Sequence, residues 1–210
     1  MQEGKTRYTP AAGTLELRQA ICRKLKRDNG LTYEPADIVV SNGAKHSLFN
    51  ALHAVCNPGD EVLLPAPYWV SYYELIKMAG ATPVLVTATE ENGYLVTAQQ
   101  LKDAITDKTK ALILNSPCNP TGAVYPDGRL MEIAALAVEK DIYVISDEIY
   151  ECLVYDGAVH TSIASFGPEI KDLTVVVNGL SKAYAMTGWR IGYTASNRRI
   201  ATAMANFQSH

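Results

Sequence analysis

The feature that most constrains the fold is a regular alternation of short apolar runs with amphipathic helical patterns. Apolar residues at helical spacing predict helices over 15–27, 44–55, 70–79, 97–105 and 127–140, and a last helical pattern includes Ile200, Met204 and Phe207. Apolar, β-rich runs predict strands over 38–41, 61–64, 82–86, 111–114, 142–146, 174–177 and 191–195. Seven strands joined by crossover helices indicate an α/β fold, in which a mostly parallel seven-stranded sheet lies between two helical layers.

Composition supports one domain of this class and argues against several kinds of partner. The chain has 210 residues, of which 48% are hydrophobic, enough for one large domain with a continuous core. Its net charge is -3 and its lysines and arginines are scattered, so we predict no nucleic-acid partner. No apolar stretch approaches the roughly 20 residues of a membrane span, so we predict no membrane association.

The cysteines and histidines do not form the pattern of a disulfide framework or a metal site. Cys22, Cys56, Cys118 and Cys152 are widely and irregularly spaced without a CxxC motif, and the chain opens without a signal-peptide core. The four histidines lack metal-ligand spacing. We therefore predict reduced thiols in a cytoplasmic protein, with no bound metal.

One lysine, Lys182, lies in a segment suited to a reactive amine, GLSKAYAMTGWRIG over residues 179–192. It follows the apolar run 173–177, has small residues around it, and precedes Arg190 by eight positions. Small residues would allow a bulky ligand to approach the backbone, and a guanidinium would bind a phosphate on that ligand. The segment predicts an amine that forms a Schiff base with an aldehyde cofactor.

A second segment, IYVISDEIY over 142–150, predicts a buried strand that ends in an acid. Such a strand would place Asp147 at the carboxyl edge of the sheet, where open α/β folds bind ligands. A carboxylate there would keep a pyridine nitrogen protonated, so that the ring withdraws electrons. Tyr150 could donate its hydroxyl to a phenolic oxygen of the same ring. Taken alone, the segment also fits an aspartate that caps the next helix.

Two further strand ends would contribute to the same edge. Asn119 lies in an NPTG turn after the strand 111–114, which would bring its amide to the edge that holds Asp147. In VVSNGAKHSL, over 39–48, a strand leads through Gly43 and Ala44 into a helix. Free N–H groups at that helix N-terminus would bind an anion, and the small residues leave room for a phosphate.

The four segments occur in one order, each after a predicted strand, and together they resemble the motifs of the class I and II aminotransferases, which use pyridoxal 5'-phosphate. The segments PYWVSY (67–72) and AMTGWR (185–190) are most similar to the bacterial-type aspartate aminotransferases. The resemblance covers almost the whole chain, from Tyr8 to the last helix. It implies the large domain of a fold type I pyridoxal-phosphate transferase that forms a homodimer.

The resemblance also implies roles for individual residues. Lys182 would form the aldimine with the cofactor and carry the proton between the substrate α-carbon and the cofactor. Asp147 would hold the ring nitrogen, and Trp69 would stack on the ring. The phenolic oxygen would be bound by Asn119 and Tyr150.

At the phosphate, the resemblance implies contacts from Gly43, Ala44 and Arg190. Tyr8 would reach across a dimer interface to the phosphate bound by a partner subunit. Gly179 departs from the family pattern, because many relatives have a phosphate-binding serine at its position. Ser181 is therefore a candidate replacement.

Several of these residues have a structural alternative. Trp69 and Tyr68 could be core aromatics. Arg190 could be an ordinary surface ion-pair residue, and Tyr8 an exposed turn residue. Lys45, which we place with the cofactor-binding residues, would either face the distal carboxylate of the substrate or be a solvated helix residue.

The predicted function is amino-group transfer between an amino acid and 2-oxoglutarate. Aspartate is the expected donor, and an aromatic or other dicarboxylic amino acid remains an alternative. The alternatives are a cofactor-binding fragment with little turnover and a lyase or decarboxylase of the same fold. Because members of the family are longer, we expect residues 1–210 to be the cofactor-binding large domain, truncated at both ends and without the small C-terminal domain. The peptide bonds Ala66-Pro67 and Asn119-Pro120 are expected to be cis, as in the family.

Overall fold

A computed structural model describes residue 4 and residues 6–210 of the chain. The helices are α1 (Leu15–Asn29), α2 (Ala44–Val55), α3 (Ser71–Met78), α4 (Ala98–Ala104), α5 (Asp127–Lys140), α6 (Pro168–Leu173) and α7 (Arg198–Gln208). The strands are β1 (Ile38–Asn42), β2 (Glu61–Ala66), β3 (Thr82–Thr87), β4 (Thr109–Asn115), β5 (Tyr143–Asp147), β6 (Thr174–Gly179) and β7 (Ile191–Ala195). The predicted helices and strands are all present, and their ends lie within two residues of the predicted ones.

The helix that the sequence analysis missed is α6. The pair Gly167-Pro168 reads as a turn, but Pro168 is the first residue of this short helix. Proline is favoured at that position because the N–H group it lacks would have no partner in the helix. Ile170 is the buried residue that attaches α6 to the core.

The strands form one sheet in the order β1-β7-β6-β5-β4-β2-β3. Only β7 runs against its neighbours, pairing antiparallel with both β1 and β6, whereas the remaining pairs are parallel. The prediction of a mostly parallel sheet is therefore confirmed. The carboxyl ends of six strands meet at one edge, and the beginning of β7 lies at that same edge.

Helices cover both faces of the sheet, because consecutive strand residues point to opposite sides. On one face, Leu64 and Ile145 pack in a cluster with residues of α2, α3 and α7. On the other face, Leu63 and Val144 pack with α4 and α5, and Val176 packs with α1. The three-layer arrangement predicted from the sequence is thus the observed one.

Within the described part of the chain, no helix is both long enough and apolar enough to cross a bilayer. The peptide bonds Ala66-Pro67 and Asn119-Pro120 are cis, as expected, and so is Ser116-Pro117.

Candidate active site

A cavity of about 340 Å³ opens at the edge where the strands end. It brings together most of the residues predicted for the site, namely Ala44, Lys45, Trp69, Asn119, Asp147, Tyr150, Ser181, Lys182 and Arg190. The parallel strands β4, β5 and β6 each lead into a loop at this edge. Arg190 reaches the same place because it precedes β7, the strand of opposite direction. Residues far apart in sequence therefore line one cavity.

The N-terminus of α2 forms one side of this cavity. Gly43 precedes the helix with a φ of 86° and provides no side chain to cap it, so the N–H groups of Ala44 and Lys45 have no intrahelical partner, whereas His46 already donates to the Gly43 carbonyl. A Cβ atom on Gly43 would lie 2.3 Å from Nη2 of Arg190. Arg190 donates from Nη1 to the carbonyl oxygen of Thr187 at 2.9 Å. The guanidinium thus lies over the bare backbone that leads into the helix.

Gly179 has no room for a side chain. It pairs with Gly192 between β6 and β7. A Cβ atom on Gly179 would lie 2.7 Å from the carbonyl oxygen of Ile191 and 3.0 Å from the Cα atom of Gly192. A serine would not fit at position 179 without movement of the backbone. Ser181, by contrast, is buried and lines the cavity.

Asp147 is buried at the carboxyl end of β5 and accepts two hydrogen bonds. The Tyr72 hydroxyl donates to Oδ2 at 2.7 Å, and the Ile149 amide donates to Oδ1 at 3.2 Å. Burial raises the pKa of this carboxyl from an ordinary 3.8 to about 6, and both hydrogen bonds act in the opposite direction because they favour the charged form. Asp147 is thus a buried acid that two hydrogen bonds hold in place.

A second buried residue, Asn115, connects the loop that carries Asn119 with the end of β5, which carries Asp147. Its Oδ1 accepts from the Asn119 amide at 2.7 Å, and its Nδ2 donates to the Asp147 carbonyl at 2.9 Å. Asn119 then extends its own Nδ2 to the Tyr150 hydroxyl at 3.4 Å. Two donors from different strand ends therefore converge at one point of the cavity.

The cavity also contains an amine close to aromatic rings. Lys182 Nζ lies 5.6 Å from the centre of the Tyr150 ring. Lys45 is exposed, and its Nζ lies 4.9 Å from the centre of the Trp69 ring. Trp69 is half-buried, since it packs on the core and also faces the cavity. Both interpretations of Trp69, core residue and site residue, therefore describe part of its surroundings.

Tyr8 is fully exposed and does not line the cavity. Its predicted contact is with a second subunit and stays a prediction.

Three lining residues were not anticipated from the sequence: Tyr72, Ile149 and Thr187. The signal that pointed to Asp147, a polar residue directly after a buried strand, could also have pointed to Asn115. Tyr72 lies inside an amphipathic helix and gave no such signal.

Glu148, Glu151 and His160 form a cluster close in sequence to Asp147, and their possible metal-ligand atoms lie within 4.8 Å of one another. The carboxylate oxygens already have donors from the protein. Ser146 and Ser162 donate to one oxygen of Glu148, and His160 Nε2 is 3.3 Å from the other. Glu151 pairs with Lys24 and accepts from Asn29. These contacts fix Glu148 and Glu151, which flank Tyr150 and follow Asp147 in the same segment.

A family model described as aminotransferase class I and II matches residues 1–210, the whole chain. The chain belongs to this family. An aspartate aminotransferase from Bacillus sp. (strain YM-2) is 55% identical over all of the chain and 54% of its own length. A bifunctional aspartate aminotransferase and glutamate/aspartate-prephenate aminotransferase from Petunia hybrida is 52% identical over all of the chain and 44% of its own length.

Solved structures of aminotransferases have the same fold. An aspartate aminotransferase from Thermus thermophilus, solved with maleate, matches 99% of the chain and 53% of its own chain, with a TM-score of 0.95 and 47% identity. An aromatic aminotransferase from Pyrococcus horikoshii OT3 matches 99% of the chain and 56% of its own, with a TM-score of 0.96 and 47% identity. The chain spans about half the length of the curated aminotransferases it matches.

Proposed function

We propose that residues 1–210 are the cofactor-binding domain of a pyridoxal-phosphate-dependent aminotransferase that transfers an amino group between aspartate and 2-oxoglutarate. The observation that carries this proposal is the meeting of three groups in one cavity: the Lys182 amine, the buried Asp147 carboxylate, and Arg190 beside the α2 N-terminus. An amine, a carboxylate and an anion site are the complement of an aldehyde, a pyridine nitrogen and a phosphate.

The residues of the cavity fit pyridoxal phosphate in chemistry, and the cavity fits it in size. Its volume lies within the usual range of small-molecule sites, about 300–1,000 Å³. Gly43 leaves open the backbone that a phosphate would approach, since any Cβ atom there would displace Arg190. When bound, the cofactor supplies an aldehyde that accepts the amino group and a ring that withdraws electrons from the substrate α-carbon.

Each residue then has a defined task. Arg190 and the first-turn N–H groups of α2 bind the phosphate, because helix N-termini and guanidinium groups both favour anions. Asp147 would keep the ring nitrogen protonated, because its carboxylate stabilises the positive charge that the proton brings. Lys182 would hold the cofactor through its amine and would move the proton at the substrate α-carbon.

The remaining contacts orient the ring. Asn119 Nδ2 and the Tyr150 hydroxyl lie 3.4 Å apart and would donate to the phenolic oxygen together. Trp69 offers its face for stacking from the cavity wall. Ser181 is the hydroxyl nearest in sequence to Lys182 and would bind the phosphate in place of the serine that position 179 cannot accommodate.

Support for aspartate as the donor comes from the relatives and from one cation. The relatives from Bacillus sp. and Petunia hybrida are both described as aspartate aminotransferases. Lys45 lines the cavity and is exposed, so its ammonium group would reach a second carboxylate on a dicarboxylic substrate. A homodimer in which Tyr8 contacts the phosphate of the partner subunit completes the proposal.

Covalent labelling of the 210-residue chain tests the proposal at its central residue. Pyridoxal phosphate is added, its visible absorption is recorded, and borohydride then fixes the cofactor to the amine that holds it. We expect a shifted absorption band and, after peptide mapping, a label on Lys182. Lys182→Ala should abolish both, whereas the control Lys45→Ala should retain the label. A label on any other lysine would contradict the assignment.

A coupled assay with aspartate and 2-oxoglutarate tests the substrates separately. It should be run on the 210-residue chain and on the full-length protein that contains it. Transfer from aspartate by the full-length protein is expected to exceed transfer from an aromatic amino acid, and Lys45→Ala should reduce that preference. An equal preference before and after the substitution would remove Lys45 from the proposal.

A further inference from the structure

Tyr72 joins two of the proposed cofactor contacts, although it lies in a different segment from the catalytic lysine. It belongs to α3 and is 2% exposed. Its hydroxyl donates to Asp147 Oδ2 at 2.7 Å. Its ring packs perpendicular to that of Trp69, with a centroid separation of 5.4 Å and an interplanar angle of 89°. One buried ring therefore contacts both the residue proposed for the ring nitrogen and the residue proposed for stacking.

The hydrogen bonds to Asp147 arrive on different oxygens, which fixes the plane of the carboxylate. Tyr72 reaches Oδ2 from α3, and the Ile149 amide reaches Oδ1 from the backbone that follows β5. A carboxylate offers about four lone-pair positions, so both donors leave room for a third from the cavity. Tyr72 is too closely packed to rotate away, since it belongs to the core cluster with Ile76 and Leu75.

The charge on Asp147 also depends on this hydroxyl. Burial is the largest influence on its pKa and raises it, whereas the hydrogen bond from Tyr72 lowers it, and nearby Glu148 adds to the rise. Burial and the neighbouring Asp147 raise the pKa of the Tyr72 hydroxyl, and Cys118 and Tyr150 add to that rise. The other ionisable groups that share the cavity are Lys45, Lys182 and Arg190.

We propose that Tyr72 is a positioning residue, which orients the Asp147 carboxylate toward the cavity and holds it ionised before the cofactor arrives. The role of the carboxylate toward the ring nitrogen rests on the proposed function, but the contact between Tyr72 and Asp147 does not. Capture of the cofactor then requires no prior rotation or deprotonation of Asp147. Removal of the hydroxyl leaves the acid buried with one donor fewer, so a larger share of the protein is protonated near neutral pH.

A titration of the cofactor-free protein measures this effect directly. The protein is labelled with carbon-13 at aspartate carboxyl groups, and Asp147→Asn identifies the signal of Asp147. Tyr72→Phe is expected to raise the midpoint of that signal by about one pH unit or more. The matched control is Tyr125→Phe, which removes another buried hydroxyl, one that accepts from the Val96 amide. The midpoint in Tyr125→Phe should equal that of the wild type, and an unchanged midpoint in Tyr72→Phe would overturn the proposal.

A second substitution keeps the packing and is expected to shift the titration midpoint of Asp147 in the opposite direction. Replacement of Tyr72 by fluorotyrosine retains the ring and makes its hydroxyl a stronger donor, so we expect the Asp147 midpoint to fall. This variant gives a result even if Tyr72→Phe does not fold. A midpoint that stays or rises with fluorotyrosine would contradict the proposal.

Binding of pyridoxal phosphate as a function of pH separates this proposal from the proposed function. In Tyr72→Phe the dissociation constant is expected to rise about twofold at about pH 7 and toward about tenfold near pH 5, and to approach the wild-type value at higher pH, where Asp147 is ionised in both proteins. A wild-type protein that binds no cofactor would overturn the proposed function and leave the titration result intact. A wild-type protein that binds, together with a Tyr72→Phe variant of identical pH dependence, would overturn the role of Tyr72.

Discussion

At the scale of single residues, Asp147 is a carboxyl group whose surroundings disfavour its own charged form. Burial raises its pKa from 3.8 to about 6, and two hydrogen bonds offset only part of that effect. A cationic N–H group from a ligand would compensate the buried charge. The protein therefore holds a partly destabilised group at the place where the ligand would relieve it, as is common at functional sites.

The raised pKa predicts how stability depends on pH. The folded protein binds a proton at Asp147 up to about pH 6, whereas the unfolded chain releases it near 3.8, so this group reduces stability as pH rises between those values. The full effect, about 3 kcal/mol, is present above about pH 6 and absent below about pH 4.

Substitution of Asp147 by asparagine removes this dependence. In cofactor-free protein, urea unfolding should show that Asp147→Asn gains stability relative to the wild type by about 3 kcal/mol between about pH 4 and pH 8. Replacement of a carboxylate oxygen also changes the free energy of unfolding by an amount that does not depend on pH. Comparison of two pH values cancels that contribution. A difference between variant and wild type that stays constant across this range would contradict the prediction.

At the scale of elements, the α2 N-terminus and the start of β7 form one unit. Gly192 lies so close to α2 that a Cβ atom there would be 2.3 Å from the Ala44 amide nitrogen. Gly43 is close to Arg190 in the same way. Glycines at both positions let a helix N-terminus and a guanidinium approach a single point, and each is a strong donor to an anion.

The Gly43→Ala variant tests this unit. Its side chain would displace Arg190, and alanine is also disfavoured at a φ of 86°, so we expect affinity for pyridoxal phosphate to fall about tenfold or more. Affinity for pyridoxal, which lacks the phosphate, should change much less. The control is Gly128→Ala in α5, where a Cβ atom would meet open space. Equal losses for both ligands would show that the substitution perturbs the site in general.

At the scale of the whole molecule, the sheet connects the site to the core. Leu64 and Leu85 are paired neighbours on β2 and β3, yet Leu64 is 1% exposed and Leu85 is 50% exposed. Leu64 packs in the cluster that also contains Tyr72, Ile145 and Val177. A smaller side chain at position 64 should therefore loosen the packing of the strands that carry the site, and it should also lower the free energy of unfolding.

Alanine substitutions at this pair give a matched comparison. Leu64→Ala is expected to destabilise the protein by about 2–5 kcal/mol, because it leaves a cavity in the core. Leu85→Ala should cost about 1 kcal/mol or less, because half of that side chain is already in water. Chemical denaturation measures both. A similar loss in the two variants would mean that the edge strand is packed as tightly as the centre of the sheet.

The alternation of patterns along the chain was sufficient to predict the layers of the fold, since apolar spacing reports directly which face of an element is buried. It was also sufficient to place Asp147, at the end of one strand, and Asn119, in the turn after another, at the same edge of the sheet. The family motifs added Lys182 and Arg190, whose types alone carry little information. The helix α6 was missed because Gly167-Pro168 is typical of both a turn and a helix start.

Contacts between distant segments were decided only by the tertiary structure. The sequence contains no local sign that Tyr72, inside an amphipathic helix, donates to Asp147, which lies 75 positions away. Nor does it show that β7 runs against its neighbours, which is what brings Arg190 over Gly43. Local patterns report the burial of one element at a time. Hydrogen bonds and steric limits such as the one at Gly179 arise only where two elements meet, and so depend on the packed molecule.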